Sequence, residues 1–177
     1  MHLIATRALA FAIVFLAAGV TLLTAERVAF AKERFSLDLP AGWERGGGPE
    51  DGAILYRSAP GGEGSFSVYH LPVKKNHRAN LKGTLEERVK SFQKAGLKLS
   101  AKVKAHQQDN FDGKPALFGV IPLEAEYQGQ LIKFTYYLVL IDARDSVVIL
   151  QAALPRPLGK KLQQDALGII QSFRESE

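Results

Sequence analysis

The sequence predicts an α+β domain, an α/β/α sandwich in which an antiparallel β-sheet meander is covered by helices on both faces. Three observations support this fold class. Between residues 97 and 154, four strand-like segments follow one another with turn residues and no helical period between them. The last two segments are apolar at odd and even positions alike, so both faces of the sheet need a cover. Two amphipathic helical patterns, one before and one after the meander, can supply that cover.

Residues 1–31 have the pattern of a secretory signal peptide. Arg7 precedes an apolar run over residues 8–23, and Ala29-Phe30-Ala31 offers small residues at a cleavage site. The alternative is a retained membrane anchor, because about twenty apolar residues are long enough to cross a bilayer. The small-residue site favours cleavage near Ala31. We therefore expect a periplasmic or secreted protein whose mature chain, residues 32–177, is one domain and not an integral membrane protein.

The composition excludes several classes of protein. The chain has no cysteine, which excludes disulfides, a thiol nucleophile and a lipid-anchored lipoprotein. Its formal net charge is +5, and an excess of this size does not by itself indicate nucleic acid. We expect no nucleic-acid partner and no cofactor.

Three strand patterns open the mature chain. Residues 35–39 alternate apolar and polar side chains, and a Pro-Ala-Gly turn at 40–42 stops this strand before Trp43. We expect Trp43 to close the core, because a lone tryptophan beside a turn packs more often than it stacks on a ligand. Residues 53–58 and 65–71 have the pattern of two further strands.

The segment of residues 74–83 predicts an exposed basic loop. It contains the cations Lys74, Lys75, Arg78 and Lys82 with a single large aliphatic side chain. These four residues are the candidate site for an anion or a protein partner, since their charges are close in sequence and loops carry much of binding function. The alternative is a solvated connection that only keeps the protein soluble, and this alternative is the more common one.

Two helical patterns flank the meander. Thr84 and Glu87 have the spacing of a capping box, which predicts that the first helix starts there, and Gly96 suits the position after its end. Pro155-Arg156-Pro157 precedes the second helix. The apolar side of the first helix consists of Leu85, Val89 and Phe92. The apolar stripe of the second consists of Leu162, Ala166, Ile169, Ile170 and Phe173.

The meander begins with residues 97–106, whose strict alternation predicts a strand that is dry on one face. The Asp112-Gly113 step predicts a tight turn into a strand over residues 116–127, in which Pro122 marks a bulge or a position that faces away from a partner strand. Gln128-Gly129 predicts a second tight turn. The strands of residues 131–141 and 146–153 then complete the meander, with a polar turn between them.

This order of elements resembles the PsbP-like superfamily, including the DcrB-type exported proteins of bacteria. Three features carry the resemblance: the run Phe35-Ser36-Leu37-Asp38-Leu39-Pro40-Ala41-Gly42-Trp43, the Gly113 turn with the strand of residues 116–126, and the strand of residues 147–152 before the last helix. Members of the superfamily include photosystem II extrinsic subunits and a nuclear Ran-binding protein. The resemblance implies the sandwich fold and a non-enzymatic accessory or binding role.

Few residues point to catalysis. The histidines of the mature chain are His70, His77 and His106, and they lack the short ordered spacing of a zinc site, so we expect no metal. Glu124 and Glu126 lie on one face of a strand, where they pair with each other or with basic residues across the sheet. The alternative hypothesis is a small periplasmic hydrolase that uses Glu124, Glu126 or a histidine.

The sequence thus favours a non-enzymatic exported accessory or binding protein of the bacterial cell envelope. Its expected partner is an envelope protein or an anionic surface. An enzyme would need a concave pocket in which ionisable groups converge, so the arrangement of the titratable side chains discriminates between the two hypotheses.

Overall fold

The meander lies at the centre of the molecule. The computed structural model describes residues 25–46, 54–58, 63–74, 79–143 and 145–176. Within these ranges, eight strands form one antiparallel sheet, and one helix packs on each of its faces. A second sheet of three strands lies beside one of the helices.

The elements are as follows. The strands are β1 (Glu26–Phe30), β2 (Phe35–Leu39), β3 (Trp43–Arg45), β4 (Ile54–Ser58), β5 (Ser65–Pro72), β6 (Lys98–Leu99), β7 (Lys104–Phe111), β8 (Lys114–Tyr127), β9 (Gln130–Asp142), β10 (Ser146–Pro155) and β11 (Arg174–Glu175). The helices are α1 (Leu81–Lys94) and α2 (Lys160–Gln171). The large sheet has the order β3-β4-β5-β10-β9-β8, and both β6 and β7 pair with the outer edge of β8; the small sheet has the order β1-β2-β11.

The predicted meander is confirmed, because β7, β8, β9 and β10 are neighbours both in the sequence and in the sheet. Both predicted tight turns are present. Asp112 and Gly113 have φ values of 51° and 73°, and Gln128 and Gly129 have 51° and 75°, the left-handed pairs that two-residue hairpins require. In β10 every residue from 146 to 152 is buried. The prediction that both faces of this strand are covered is therefore correct.

The prediction of one strand over residues 97–106 is wrong. The segment forms β6 and the start of β7, and these pair with β8 on either side of Pro122. Pro122 has no N–H to donate, and its carbonyl accepts from Ser100 N at 3.1 Å between the two pairings. The predicted dry face is also absent from β7, where residues 104–110 are all exposed. Residues 104–106 belong both to the predicted strand and to β7, and Ala105 is the apolar residue among them. Its side chain is small enough to remain in solvent at little cost.

The predicted apolar side of α1 is confirmed, but its predicted cap is not. Leu85 and Phe92 are buried, and Gly96 follows the helix end with φ of 84°. The N-cap is Asn80, whose Oδ1 accepts from Gly83 N at 2.9 Å, while Thr84 donates its hydroxyl to the Asn80 carbonyl at 3.0 Å. Asparagine caps at least as well as threonine, and the earlier start adds a turn of helix with Leu81 on the packed face.

The opposite face of the sheet is covered by α2 and by the small sheet. The predicted stripe of α2 is confirmed, since Ala166, Ile169, Ile170 and Phe173 are buried and Leu162 packs against them. Trp43 belongs to the same core and is 6% exposed, which confirms its predicted packing role. The small sheet includes β1, which lies within the segment predicted to be removed as a signal peptide. The cleavage position therefore stays a prediction.

A row of aromatic rings crosses this second core. Phe35 stacks on Phe173 at 5.6 Å between ring centroids, Phe173 lies 6.1 Å from Phe111, and Phe111 lies 5.6 Å from Phe118. Phe30 of β1 joins the row at 5.5 Å from Phe35. Four of the rings come from four different strands and Phe173 follows the end of α2, so the row links the small sheet, the end of α2 and the far edge of the large sheet.

Candidate functional site

The predicted basic site is only partly visible in the structure. Lys75 and Arg78 lie outside the described residues. Lys74 and Lys82 are both exposed, and Lys82 is in the first turn of α1 rather than in the loop where it was predicted. A groove of about 220 Å³ next to Lys82 is also lined by Asp142. The proposal of an anion- or partner-binding loop stays a prediction, because nothing in the described part of the chain tests it.

A second groove, of about 320 Å³, continues from the first at Asp142 and is lined by Lys114 and Glu175. Lys114 Nζ lies 3.0 Å from Glu175 Oε2, and Arg34 Nε lies 2.7 Å from Glu175 Oε1. Burial by itself would raise the pKa of Glu175, but the two cations outweigh it and the pKa is lowered. The charges of Lys114, Arg34 and Glu175 are already paired with one another, and these ion pairs stabilise the groove.

The residues of the hydrolase hypothesis do not converge. His70 lies on β5 against Phe35, and His106 lies on β7 against Phe118. Four strand spacings separate β5 from β7, which is about 19 Å. Glu124 is paired in register with Lys98 on one side and Lys133 on the other.

Glu126 is exposed opposite Leu131 in β9. His77 lies outside the described residues. In the part of the chain that the structure describes, no three His, Asp or Glu side chains are grouped as metal ligands.

The cleft between β1 and β3, which we call the Trp43 cleft, has a volume of about 470 Å³. Its lining comes from β1, from the end of β2 and from β3, which follows the Pro40–Gly42 turn. Gly42 has φ of 90° there and lets the chain pass from the small sheet into the large one. The lining residues are Glu26, Arg27, Val28, Ala29, Leu39, Trp43, Glu44 and Arg45.

Trp43, which lines the cleft, carries a donor without a partner among the described residues. The indole Nε1 of Trp43 is buried and has no hydrogen-bond partner among the described residues. A buried donor without an acceptor costs free energy, on the order of 1–3 kcal/mol, and each such group in a folded protein calls for an explanation. Leu39, which also lines the cleft, is 3% exposed. Leu39 and the ring of Trp43 thus give the cleft an apolar wall.

The rim of the Trp43 cleft is charged with both signs. Glu26, Arg27, Glu44 and Arg45 are all exposed. Arg27 is held in place by Asp38, with Nε 2.8 Å and Nη2 3.3 Å from its carboxylate oxygens. This hydrogen-bonded pair lowers the pKa of Asp38. A ligand that suits this rim carries polar groups of both signs rather than one concentrated charge.

Both strands beside the Trp43 cleft have a free edge. Among the described strands, β1 pairs only with β2, and β3 pairs only with β4. An unpaired strand edge presents backbone N–H and C=O groups that an extended peptide can pair with. The cleft therefore has an apolar wall and a mixed-charge rim, and it lies beside two strands that each have an edge unpaired among the described residues.

Comparisons with known proteins show which fold this is. No family model and no curated protein matches the chain. The solution structure of the cyanobacterial PsbP, CyanoP, from Synechocystis sp. PCC 6803 is similar with a TM-score of 0.63 and 12% sequence identity, over 89% of this chain and 96% of that one. The fold is PsbP-like.

Two more structures support the PsbP-like fold. A Mog1 point mutant has a TM-score of 0.58 and 15% identity, over 85% of this chain and 95% of that one. A protein from Bacteroides thetaiotaomicron VPI-5482 has a TM-score of 0.57 and 12% identity, over 87% of this chain and 49% of that one. At such identities the likeness shows the fold alone. The predicted fold class is confirmed, and the DcrB subtype stays a prediction.

The sequence interpretation missed the Trp43 cleft. It placed β1 in a removed leader and treated Trp43 as a core residue, which accounts for the ring but not for its N–H group. One signal was available: residues 26–30 end in an aromatic and continue through a polar turn into the strand of residues 35–39.

Regarding membranes, none of the helices within the described ranges is both long enough and apolar enough for a transmembrane span.

Proposed function

We propose that this chain is a non-enzymatic, exported accessory protein of the bacterial cell envelope, and that it binds an extended segment of another envelope protein in the Trp43 cleft. The observation that carries this proposal is that Trp43, a residue that lines the cleft, has a buried Nε1 with no acceptor among the described residues. A peptide carbonyl is the acceptor that an extended partner brings to such a donor.

The surroundings of Trp43 favour a peptide over other ligands. The free edges of β1 and β3 can pair with a third strand, and pairing of this kind provides affinity through the backbone. Each of the two strands contributes one acidic and one basic residue to the rim, with Glu26 next to Arg27 and Glu44 next to Arg45. Such a rim favours a peptide of mixed charge over a phosphate group or a lipid headgroup, which would need a concentrated positive charge.

Site-specific photo-crosslinking in intact cells tests the proposal. A photoreactive amino acid replaces Ala29, which is exposed in the Trp43 cleft, and in a matched control it replaces Gln164, which is exposed on α2. We expect one envelope protein to be captured from position 29 and not from position 164, through a segment that mass spectrometry maps to a short stretch of sequence.

A synthetic peptide of the captured segment provides the second readout. Trp43 is the one tryptophan of the chain, so its fluorescence reports binding in the cleft directly. The Trp43→Phe variant keeps an aromatic ring and loses the N–H group, and should bind the peptide about fivefold more weakly in a labelled-peptide assay, the effect of one hydrogen bond. Equal capture from both positions, or a peptide that leaves Trp43 fluorescence unchanged, would contradict the proposal.

A further inference from the structure

We infer that the precursor is processed at the peptide bond between Ala25 and Glu26, so that the mature chain keeps β1 and begins at Glu26. The inference concerns a modification site and does not rest on the proposed function. The observation behind it is that residues 26–30, which cleavage after Ala31 would remove, form a strand integrated into the folded domain.

The first step of the argument is the packing of β1. All five of its residues pair with β2, from Glu26 opposite Leu39 to Phe30 opposite Phe35. Phe30 is 5% exposed, and its ring lies 5.5 Å from that of Phe35 and 6.5 Å from that of Phe173. Val28 packs against the same core. Removal of β1 would expose Phe35 and Phe173, which are 0% exposed in the intact fold.

The second step concerns the edges that removal would leave. β2 would lose its partner on one side and keep only the two residue pairs with β11. The ion pair between Arg27 and Asp38 would disappear, leaving Asp38 without its hydrogen-bonded cation. A short sheet of this kind, with one apolar face uncovered, is poorly stable in water. The domain is complete only when β1 is retained.

The third step is the sequence around the two bonds. Cleavage after Ala25 leaves only the uncharged residues Thr24 and Ala25 between the apolar run of residues 8–23 and the cut. Cleavage after Ala31 requires two charged residues, Glu26 and Arg27, between the apolar run and the cut. Ala25 supplies a small residue immediately before the bond, and Leu23 takes the second position of the cleavage pattern, where the other site has the smaller Ala29.

The reaction is hydrolysis by a membrane-bound signal peptidase. One water molecule is consumed, the C–N bond between the Ala25 carbonyl carbon and the Glu26 nitrogen breaks, and a carboxylate and an amine are produced. The cut takes place on an extended chain during export, before β1 pairs with β2. The fold therefore does not block cleavage at either bond. The two products differ in their cores, because only the chain that begins at Glu26 keeps β1 and with it the whole core.

The test is the N-terminus of the protein exported from cells that express the full chain. Intact mass and N-terminal sequencing separate a chain that begins at Glu26 from one that begins at Lys32, which is six residues shorter. We expect Glu26. A mature protein that begins at Lys32, or one that retains Met1, overturns the inference.

A pair of matched variants, Ala25→Gln and Ala31→Gln, identifies the bond even if other proteases trim the product. Each variant puts a large polar side chain immediately before one candidate bond. Ala25→Gln should reduce the yield of mature protein at least tenfold in a pulse-chase measurement, whereas Ala31→Gln should leave processing unchanged. The opposite result, with processing lost in Ala31→Gln and kept in Ala25→Gln, overturns the inference irrespective of how well either variant folds.

Discussion

At the scale of single residues, Arg34 connects distant parts of the chain. Its guanidinium lies 2.6 Å from Asp145, 2.7 Å from Glu175 and 2.8 Å from the Ala143 carbonyl. These contacts tie the turn between β1 and β2 to the turn before β10 and to β11 near the C-terminus. Glu175 is the partly buried partner, and its side chain is 17% exposed. Loss of the Glu175 carboxylate should therefore lower the stability of the whole domain.

We predict that Glu175→Gln lowers stability at neutral pH by about 1–2 kcal/mol, as expected for a partly buried group that accepts charged hydrogen bonds. Because the pKa of folded Glu175 is lowered from 4.5, its contribution is present above that value and is lost as the pH falls through the folded pKa. The difference between variant and wild type should thus shrink as the pH falls below 4.5. Urea unfolding between pH 3 and 8 measures it.

The control for Glu175→Gln is Glu86→Gln on the exposed side of α1, which should change little at any pH. An unfolding difference for Glu175→Gln that stayed constant down to pH 3 would show that the carboxylate charge is not what stabilises β11.

At the scale of elements, the start of α1 shows how two local signals compete. The Thr84 and Glu87 pattern predicts a cap, but Asn80 caps the helix four residues earlier, and Glu87 instead pairs with Lys90 at 2.8 Å. The earlier cap orders an additional turn that lies next to the groove lined by Lys82. The position of the cap decides whether Lys82 belongs to a loop or to a helix.

We predict that Asn80→Ala destabilises the protein by about 1 kcal/mol, the usual effect of a lost N-cap. Glu87→Ala should leave the melting temperature almost unchanged, because its ion pair is exposed and exposed pairs contribute little. Thermal unfolding of the two variants measures the contrast. If Glu87→Ala were the more damaging change, the capping box would be the true start of the helix.

The basic loop yields a separate prediction at this scale. Replacement of Lys74, Lys75, Arg78 and Lys82 by Gln should leave the melting temperature nearly unchanged, because Lys74 and Lys82 are exposed and outside both cores. If the loop binds an anionic surface, the quadruple variant should lose affinity for anionic vesicles at low salt, on the order of 1 kcal/mol for each charge. Vesicle sedimentation at low and high salt measures the loss.

The matched control for the loop variant replaces the same number of exposed lysines elsewhere by Gln: Lys98, Lys102, Lys104 and Lys133. Loss of binding that is equal in both quadruple variants would reflect net charge alone. Unchanged binding in the loop variant would make the loop a solubilising connection.

At the scale of the whole molecule, the two faces of the large sheet are covered differently. One face holds α1 alone, and the other holds α2 together with the small sheet. The small sheet consists of β1, β2 and β11, so it joins the two ends of the described chain. Its stability therefore depends on whether the chain contains β1.

We predict that a chain starting at Lys32 is less stable than one starting at Glu26 by about 3 kcal/mol or more, since the loss of a buried phenylalanine alone costs that much. Urea unfolding of the two purified chains measures the difference. The control is Arg27→Ala in the longer chain, which removes the exposed ion pair and keeps Phe30. Equal stability of the two chains would mean that β1 contributes nothing to the core.

The sequence by itself determined the local part of this structure. Alternation and turn chemistry were sufficient for the meander, because a strand's side-chain period and the positive φ of Asp112-Gly113 are properties of neighbouring residues. The stripe of α2 and the packing side of α1 were predictable for the same reason. The PsbP-like fold class followed from the order of these elements.

Only the tertiary structure decided the contacts between residues that are far apart in the sequence. Nothing near Gly119 in the sequence indicates a close approach, but a Cβ there would lie 3.0 Å from Leu85 Cδ1, so a larger residue would force the Leu85 side chain of α1 to shift. The same holds for the candidate site. The Trp43 cleft exists because β1 pairs with β2 next to β3, and strand pairing across a turn depends on the burial of Phe30 among rings from distant elements. Such burial is a property of the assembled core, which no local pattern contains.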